Sequence, residues 1–172
     1  ELSLKQTLEY LGLSEHTNFK LQKDVSTGSK VLRPDCIVDI PGYRRLIIDS
    51  KVPLDHYLQS LEAADEAARL KLMSKSATSF KKHIDALAGK NYAQEYRLGG
   101  ECVDLIHMYI PNEGAAAATM AYDPTIVGYA LERNITITFP TSLPSILRTA
   151  SLEVRQIEIQ ENSKEILRMA QE

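Results

Sequence analysis

The chain has no tryptophan and only two cysteines, Cys36 and Cys102. The two are far apart and in no metal-ligand spacing, so a zinc ribbon and a disulfide framework are both ruled out. Each sits in an apolar run, which reads as a buried reduced thiol in a cytoplasmic setting. Of the four histidines, His16, His56, His83 and His107, none forms a His-x-x-x-His pair. His107 falls in a strand-like run and reads as a core residue, while His56 follows Lys51 closely enough to support a site there. No stretch of ~20 apolar residues exists to span a membrane. Internal repeats, a low-complexity linker and a glycine-rich phosphate loop are also missing, so solenoids and P-loop enzymes fall away. Positive charge is not in surplus either: 20 Lys and Arg face 23 Asp and Glu, a net charge of −3. That argues against a generic nucleic-acid binder and directs attention to how the charge is distributed.

What is present suits a single domain. The 172 residues are 44% hydrophobic and 25% charged, enough for one sizeable core. The pattern predicts, in order, a helix, a hairpin, helices, a strand, helices, a strand and a long helix. Leu4, Leu8 and Leu11 recur at helical spacing, and Gly12 ends the pattern. Pro53 suits the first turn of a helical stretch over 54–88, with a break expected at Ser74 to Ser79. Val103 to Ile110 reads as a buried strand ended by Pro111. Ala115 to Tyr122 and Thr125 to Arg133 read as helices split by Asp123-Pro124, and Ile135 to Phe139 as a β-branched strand. Leu143 to Gln171 reads as helical, with Ile146, Leu147, Ala150, Val154 and Ile157 as its stripe. This mixed order predicts an α/β fold with a central mixed sheet flanked by helices.

The chemistry concentrates around one turn. Asp35 to Ile40 and Arg44 to Asp49 read as two strands joined by Pro41-Gly42-Tyr43. Pairing around that turn sets Asp39 opposite Arg45, Ile37 opposite Ile47 and Asp35 opposite Asp49. On the other face Cys36 meets Ile48 and Val38 meets Leu46, so that face is wholly apolar. A one-residue slip would mix the faces. Two carboxylates directly opposite each other destabilise a sheet, and a divalent cation would offset the repulsion. Lys51 lies two residues past Asp49 and shares its face. Two acids for a hard cation and one ammonium beside them suit phosphodiester hydrolysis. The competing reading makes Asp35 a strand-entry turn residue and Asp49-Ser50-Lys51 a solvated loop.

Two further features bear on the site. Glu1 lies on the stripe of Leu4 and Leu8, where a carboxylate is costly without a partner, unless the terminus is frayed. From Arg69 to Arg97 seven basic residues face only Asp85 and Glu95, a net of +5. In that block Lys71, Lys75, Lys81, Lys82 and Lys90 are candidates for DNA phosphates. A solvated helix face is the plainer alternative. Tyr92 and Tyr96 read as packed aromatics rather than stacking platforms.

Arg33-Pro34-Asp35 and Asp49-Ser50-Lys51-Val52 resemble the core of the RmuC family, DNA recombination proteins with a PD-(D/E)xK nuclease-like fold. The resemblance runs through His83 to Tyr92, Met108 to Glu113, Asp123 to Asn134, Pro140-Thr141, Leu147-Arg148-Thr149 and Arg155-Gln156. Two positions depart from it: Val154 stands where the family has tryptophan, and Ile157 where it has glutamate. The resemblance implies a restriction-endonuclease-like core over residues 1–157 and a charged helical extension over 158–172. It implies a Mg²⁺- or Mn²⁺-dependent deoxyribonuclease, probing DNA structure rather than sequence. Asp35, Asp49 and Glu1 would be its metal ligands, and Lys51 its charge stabiliser. The alternative is a catalytically weak nuclease-fold module that binds DNA or scaffolds a partner. Because the chain opens on glutamate, it is expected to be a fragment. The family's upstream coiled coil or membrane anchor, and a homo-oligomer formed through helices, are then expected partners of this cytoplasmic portion.

Overall fold

The computed structural model describes residues 2–21, 25–27, 30–40, 44–50, 54–90, 92 and 106–149, with 159, 162, 163 and 169. The chain begins with α1 (Leu2–Tyr10), whose Leu4 and Leu8 are fully buried. Leu11 does not continue this stripe, as the spacing had predicted, and is 38% exposed. The helix ends first, with the Gly12 N–H donating to the Glu9 carbonyl at 2.9 Å. Gly12 then takes φ +77°, a left-handed turn that suits glycine and swings Leu13 back onto the core instead.

Next come β1 (Phe19–Leu21), a separate ribbon of β2 (Val25–Thr27) and β3 (Lys30–Leu32), and then β4 (Cys36–Ile40) and β5 (Arg44–Asp49). The β4–β5 hairpin has the register the sequence implies: Cys36 with Ile48, Ile37 with Ile47, Val38 with Leu46, Asp39 with Arg45. After it follow α2 (Asp55–Leu61), α3 (Glu66–Ala88), β6 (Ile106–Tyr109), α4 (Glu113–Tyr122), α5 (Thr125–Leu131) and β7 (Ile135–Thr138). Residues 143–149 form a further helix, α6. The sheet order is β1-β4-β5-β6-β7, antiparallel across the first three strands and parallel from β5 to β7. The expected α/β class with a mixed sheet is therefore what the chain adopts. Among the described residues no helix is long and apolar enough to cross a membrane.

The helical stretch after the hairpin breaks earlier than predicted. Asp65, not the serines at 74–79, interrupts it, by accepting a hydrogen bond from the Ala68 N–H at 2.7 Å and capping α3. Two of the hydroxyls downstream are satisfied without breaking the helix. Thr78 donates to the Ser74 carbonyl at 2.9 Å, and the buried Ser76 pairs with Thr119 of α4 at 3.0 Å.

Strand alternation divides the core in two. Ile37, Ile47, Ile106, Met108 and Ile135 point to one face and pack on Ala77, Phe80, Ile84 and Leu87 of α3. Cys36, Val38, Ile48 and Tyr109 point to the other and pack on Leu4 and Leu8 of α1 and Leu143 and Leu147 of α6. The rest of the predicted C-terminal stripe, Ala150, Val154 and Ile157, lies outside the described residues.

Candidate functional site

The carboxyl end of β5 is where the apolar alternation stops. After Ile47 on the α3 face, the next residue on that face is Asp49, and it is only 2% exposed. A carboxylate that deep must have partners. It has two, both from just past the end of α3. The Lys90 ammonium forms a short ion pair with Oδ2, and the Tyr92 hydroxyl donates to the same oxygen at 3.3 Å. Tyr92 is fully buried in the α3-side core, and Lys90 lies 5.5 Å from the centre of its ring. The arrangement depends on where α3 stops. The Gly89 N–H still bonds to the Asp85 carbonyl at 2.9 Å, and that of Lys90 to the Leu87 carbonyl at 3.2 Å, before the chain turns toward β5.

Asp35 sits just outside β4, across the hairpin from this end. Its Oδ2 accepts a hydrogen bond from the Ser50 N–H at 2.6 Å, so its carboxylate lies against the backbone that follows Asp49. The structure thus brings together the two acids that the sequence singles out. Oδ1 of Asp49, by contrast, accepts no hydrogen bond among the described residues. Two carboxylates at one hairpin end, one with an open oxygen, make a donor set that fits a hard divalent cation. Sulfur does not enter that set. Cys36, next to Asp35 in sequence, points into the α1-side core, and burial pushes its thiol up to about 12, with the Asp35 charge adding to the effect. Among the described residues no group of three or more His, Cys, Asp or Glu gathers in a way that could hold a metal ion. Glu1, the expected third ligand, and Lys51, the expected charge stabiliser, lie outside the described residues.

The basic candidates separate into three kinds. Lys71, Lys75 and Lys82 are exposed and share one face of α3, at helical positions i, i+4 and i+11. Lys81 instead bonds to Asp123 at 2.8 Å and to Thr125 at 2.9 Å, tying α3 to the start of α5. Lys90 is the ammonium on Asp49 described above. Asp85, the one acid on the α3 part of the block, is held by Arg133 at 2.9 Å and by the Tyr129 hydroxyl. His107 is a core residue, 3% exposed, with Nδ1 against the Thr138 hydroxyl at 2.8 Å, and burial pushes its pKa down to about 4. The His56 Nδ1 atom is buried with no hydrogen-bond partner among the described residues.

Sequence reasoning placed Lys90 among phosphate-facing lysines and missed its hold on Asp49. The available signal was the Lys90-Asn91-Tyr92 spacing just after a helix-ending Gly89. That spacing delivers an ammonium and a phenol to one point.

A model of the RmuC family matches residues 1–172. The chain belongs to that family. Similar proteins named DNA recombination protein RmuC homolog include one from Zymomonas mobilis, 34% identical over 172 residues, covering 100% of this chain and 38% of that protein. Another, from Pseudomonas aeruginosa, is 30% identical and covers 99% of this chain and 37% of its own length. The chain therefore spans under two-fifths of these RmuC relatives. No solved structure matches.

Proposed function

We propose that this chain is the nuclease core of a DNA recombination protein, with a PD-(D/E)xK-like fold that hydrolyses phosphodiester bonds with Mg²⁺ or Mn²⁺. The observation that carries the reading is the acid pair at the carboxyl end of β5: Asp49 buried, with Oδ1 open, and Asp35 locked beside it by the Ser50 N–H. Three supports stand behind it. The order of helix, antiparallel meander, crossover helices and parallel strands makes a mixed α/β sheet with the acid pair at its open end, as the reading requires. Ligands of open α/β sheets bind beyond the carboxyl ends of the strands, where this pair lies. The relatives' name supplies the DNA context.

In this reading Asp49 Oδ1 and the Asp35 carboxylate hold the cation, with Glu1 as a further ligand or water-orienting base. A bound Mg²⁺ or Mn²⁺ polarises the phosphate and lowers the pKa of a water. Lys51 neutralises charge that develops on the phosphate oxygens. Lys71, Lys75 and Lys82 offer the backbone of DNA a row of cations along α3. The test is cleavage of linear and branched DNA in Mg²⁺ or Mn²⁺ by wild type, Asp49→Ala and Lys51→Ala. Both substitutions are expected to abolish cleavage, and Asp49→Ala that cuts like wild type ends the assignment.

A second reading rests on a specific observation: the described residues hold no cluster of three metal-binding side chains. It makes the chain a nuclease-fold module that binds DNA without cutting. Metal-independent DNA binding, with substrate left intact by the wild type, would select it.

A further inference from the structure

Building on the cation site proposed above, we propose that Lys90 is an exchangeable counter-ion that couples cation binding to phosphodiester binding. In the cation-free chain its ammonium neutralises Asp49. When a phosphodiester enters, the ammonium moves to a phosphate oxygen and leaves the carboxylate to the divalent ion. Lys90 is then a phosphate-binding residue of the site, and not only a packing contact.

The geometry is that of an exchange. Lys90 and Tyr92 both bond to Oδ2, so Asp49 is oriented while Oδ1 stays open. The Lys90 side chain is 37% exposed and that of Asp49 only 3%, so the ammonium stands at the mouth with the carboxylate behind it. A lysine ammonium has three donors on a flexible stem. One donor serves Oδ2, and the others are available on the solvent side, where an anion must arrive. Tyr92 is anchored in the core and keeps its hydroxyl on Oδ2 when the ammonium leaves.

Charge decides the sign of the effect. An ammonium and a divalent cation on one carboxylate repel each other at contact range, which weakens cation binding on the order of tenfold even with strong solvent screening. A phosphodiester removes that opposition by giving the ammonium a second anion. Cation and DNA should therefore each tighten the other's binding by the same factor, as linkage requires. A purely structural ion pair would contribute to folding and leave this coupling unchanged.

The test is free Mn²⁺ read by electron paramagnetic resonance, with and without a short phosphorothioate duplex that resists hydrolysis. The proteins are wild type, Lys90→Met, Lys90→Gln, Lys90→Arg and Asp49→Asn. Wild type should bind Mn²⁺ weakly alone and at least tenfold more tightly with the duplex. Lys90→Met should bind Mn²⁺ about tenfold more tightly than wild type without DNA, and the duplex should then add less than threefold. Lys90→Arg should keep the coupling. Lys90→Gln, which retains length and a donor to Oδ2, repeats the measurement should the methionine variant not fold. Neutral variants that bind Mn²⁺ as wild type does, or more weakly, overturn the exchange while loss of binding in Asp49→Asn leaves the cation site standing. Asp49→Asn that binds like wild type, or a wild type that binds no Mn²⁺ with or without the duplex, overturns both.

Discussion

Asp39 and Asp49 lie on the same face of the same hairpin, yet their surroundings are opposite. Asp39, near the turn, is 28% exposed at its side chain and bonds to Arg45 at 2.9 Å and Lys20 at 2.8 Å. Both cations come from the sheet itself, one directly opposite in the ladder and one from β1. Asp49, at the other end, is buried, and its cation comes from beyond the end of a 23-residue helix. The first acid fixes register at the edge of water, where an ion pair contributes little. The second is paired with an ammonium in a place where an unpaired charge is expensive. A site that must present an anion to a ligand resembles the second and not the first.

That contrast can be broken most severely at the level of activity. Asp49→Ala should reduce metal-dependent DNA cleavage by about a hundredfold or more, as removal of a central electrostatic group does. Asp39→Ala should change it less than twofold, measured by gel assay on the same substrates. A third titratable group, on the opposite face, sharpens the comparison by showing how the fold treats a buried group with no charged partner. His107 has its pKa pushed down to about 4 by burial, so it is neutral when folded near neutrality. The unfolded chain takes up that proton near pH 6.5 and the folded chain does not. Stability from this group is full above about pH 6.5 and falls as pH drops toward 4, by roughly 3 kcal/mol. Denaturant unfolding at several pH values should show the slope, and His107→Gln should flatten it.

Smaller effects test the two ion pairs directly. Lys90→Met strands a buried carboxylate and should destabilise the chain by about 2 kcal/mol, less than a fully buried pair because Lys90 reaches solvent. Lys20→Met should cost under about 1 kcal/mol, since Arg45 still serves Asp39. Thermal unfolding of the two variants measures the difference, and equal losses would mean that Asp39 and Asp49 depend equally on their lysines. The smallest effect belongs to the Asp39–Arg45 pair. A double-mutant cycle should give a coupling below about 1 kcal/mol that shrinks in high salt.

The hairpin was legible in the sequence because everything that fixes it is local. Three turn residues, an apolar face of Cys36, Val38, Leu46 and Ile48, and one opposite-charge pair leave a single register. His107 was legible because Leu105, Ile106, Met108, Tyr109 and Ile110 flank it on both sides. The ribbon of β2 and β3 and the strand β1 were not, because three residues are too few to show alternation. The break before α3 was misplaced because a serine's preference for caps competes with partners that only the fold supplies, here Thr119 on α4. The hold of Lys90 on Asp49 spans 41 positions and depends on the length and end of α3. Charge counting saw Lys90 only as part of a basic block. The same folding took Lys81 out of that block by pairing it with Asp123.

The central claim is that the acid pair at the end of β5 holds a divalent cation. Mn²⁺ titration by calorimetry, with the phosphorothioate duplex present, tests it in wild type, Asp49→Ala and Asp39→Ala. The account predicts binding in wild type and Asp39→Ala and its loss in Asp49→Ala. Binding that survives in Asp49→Ala, or disappears in Asp39→Ala, would contradict it.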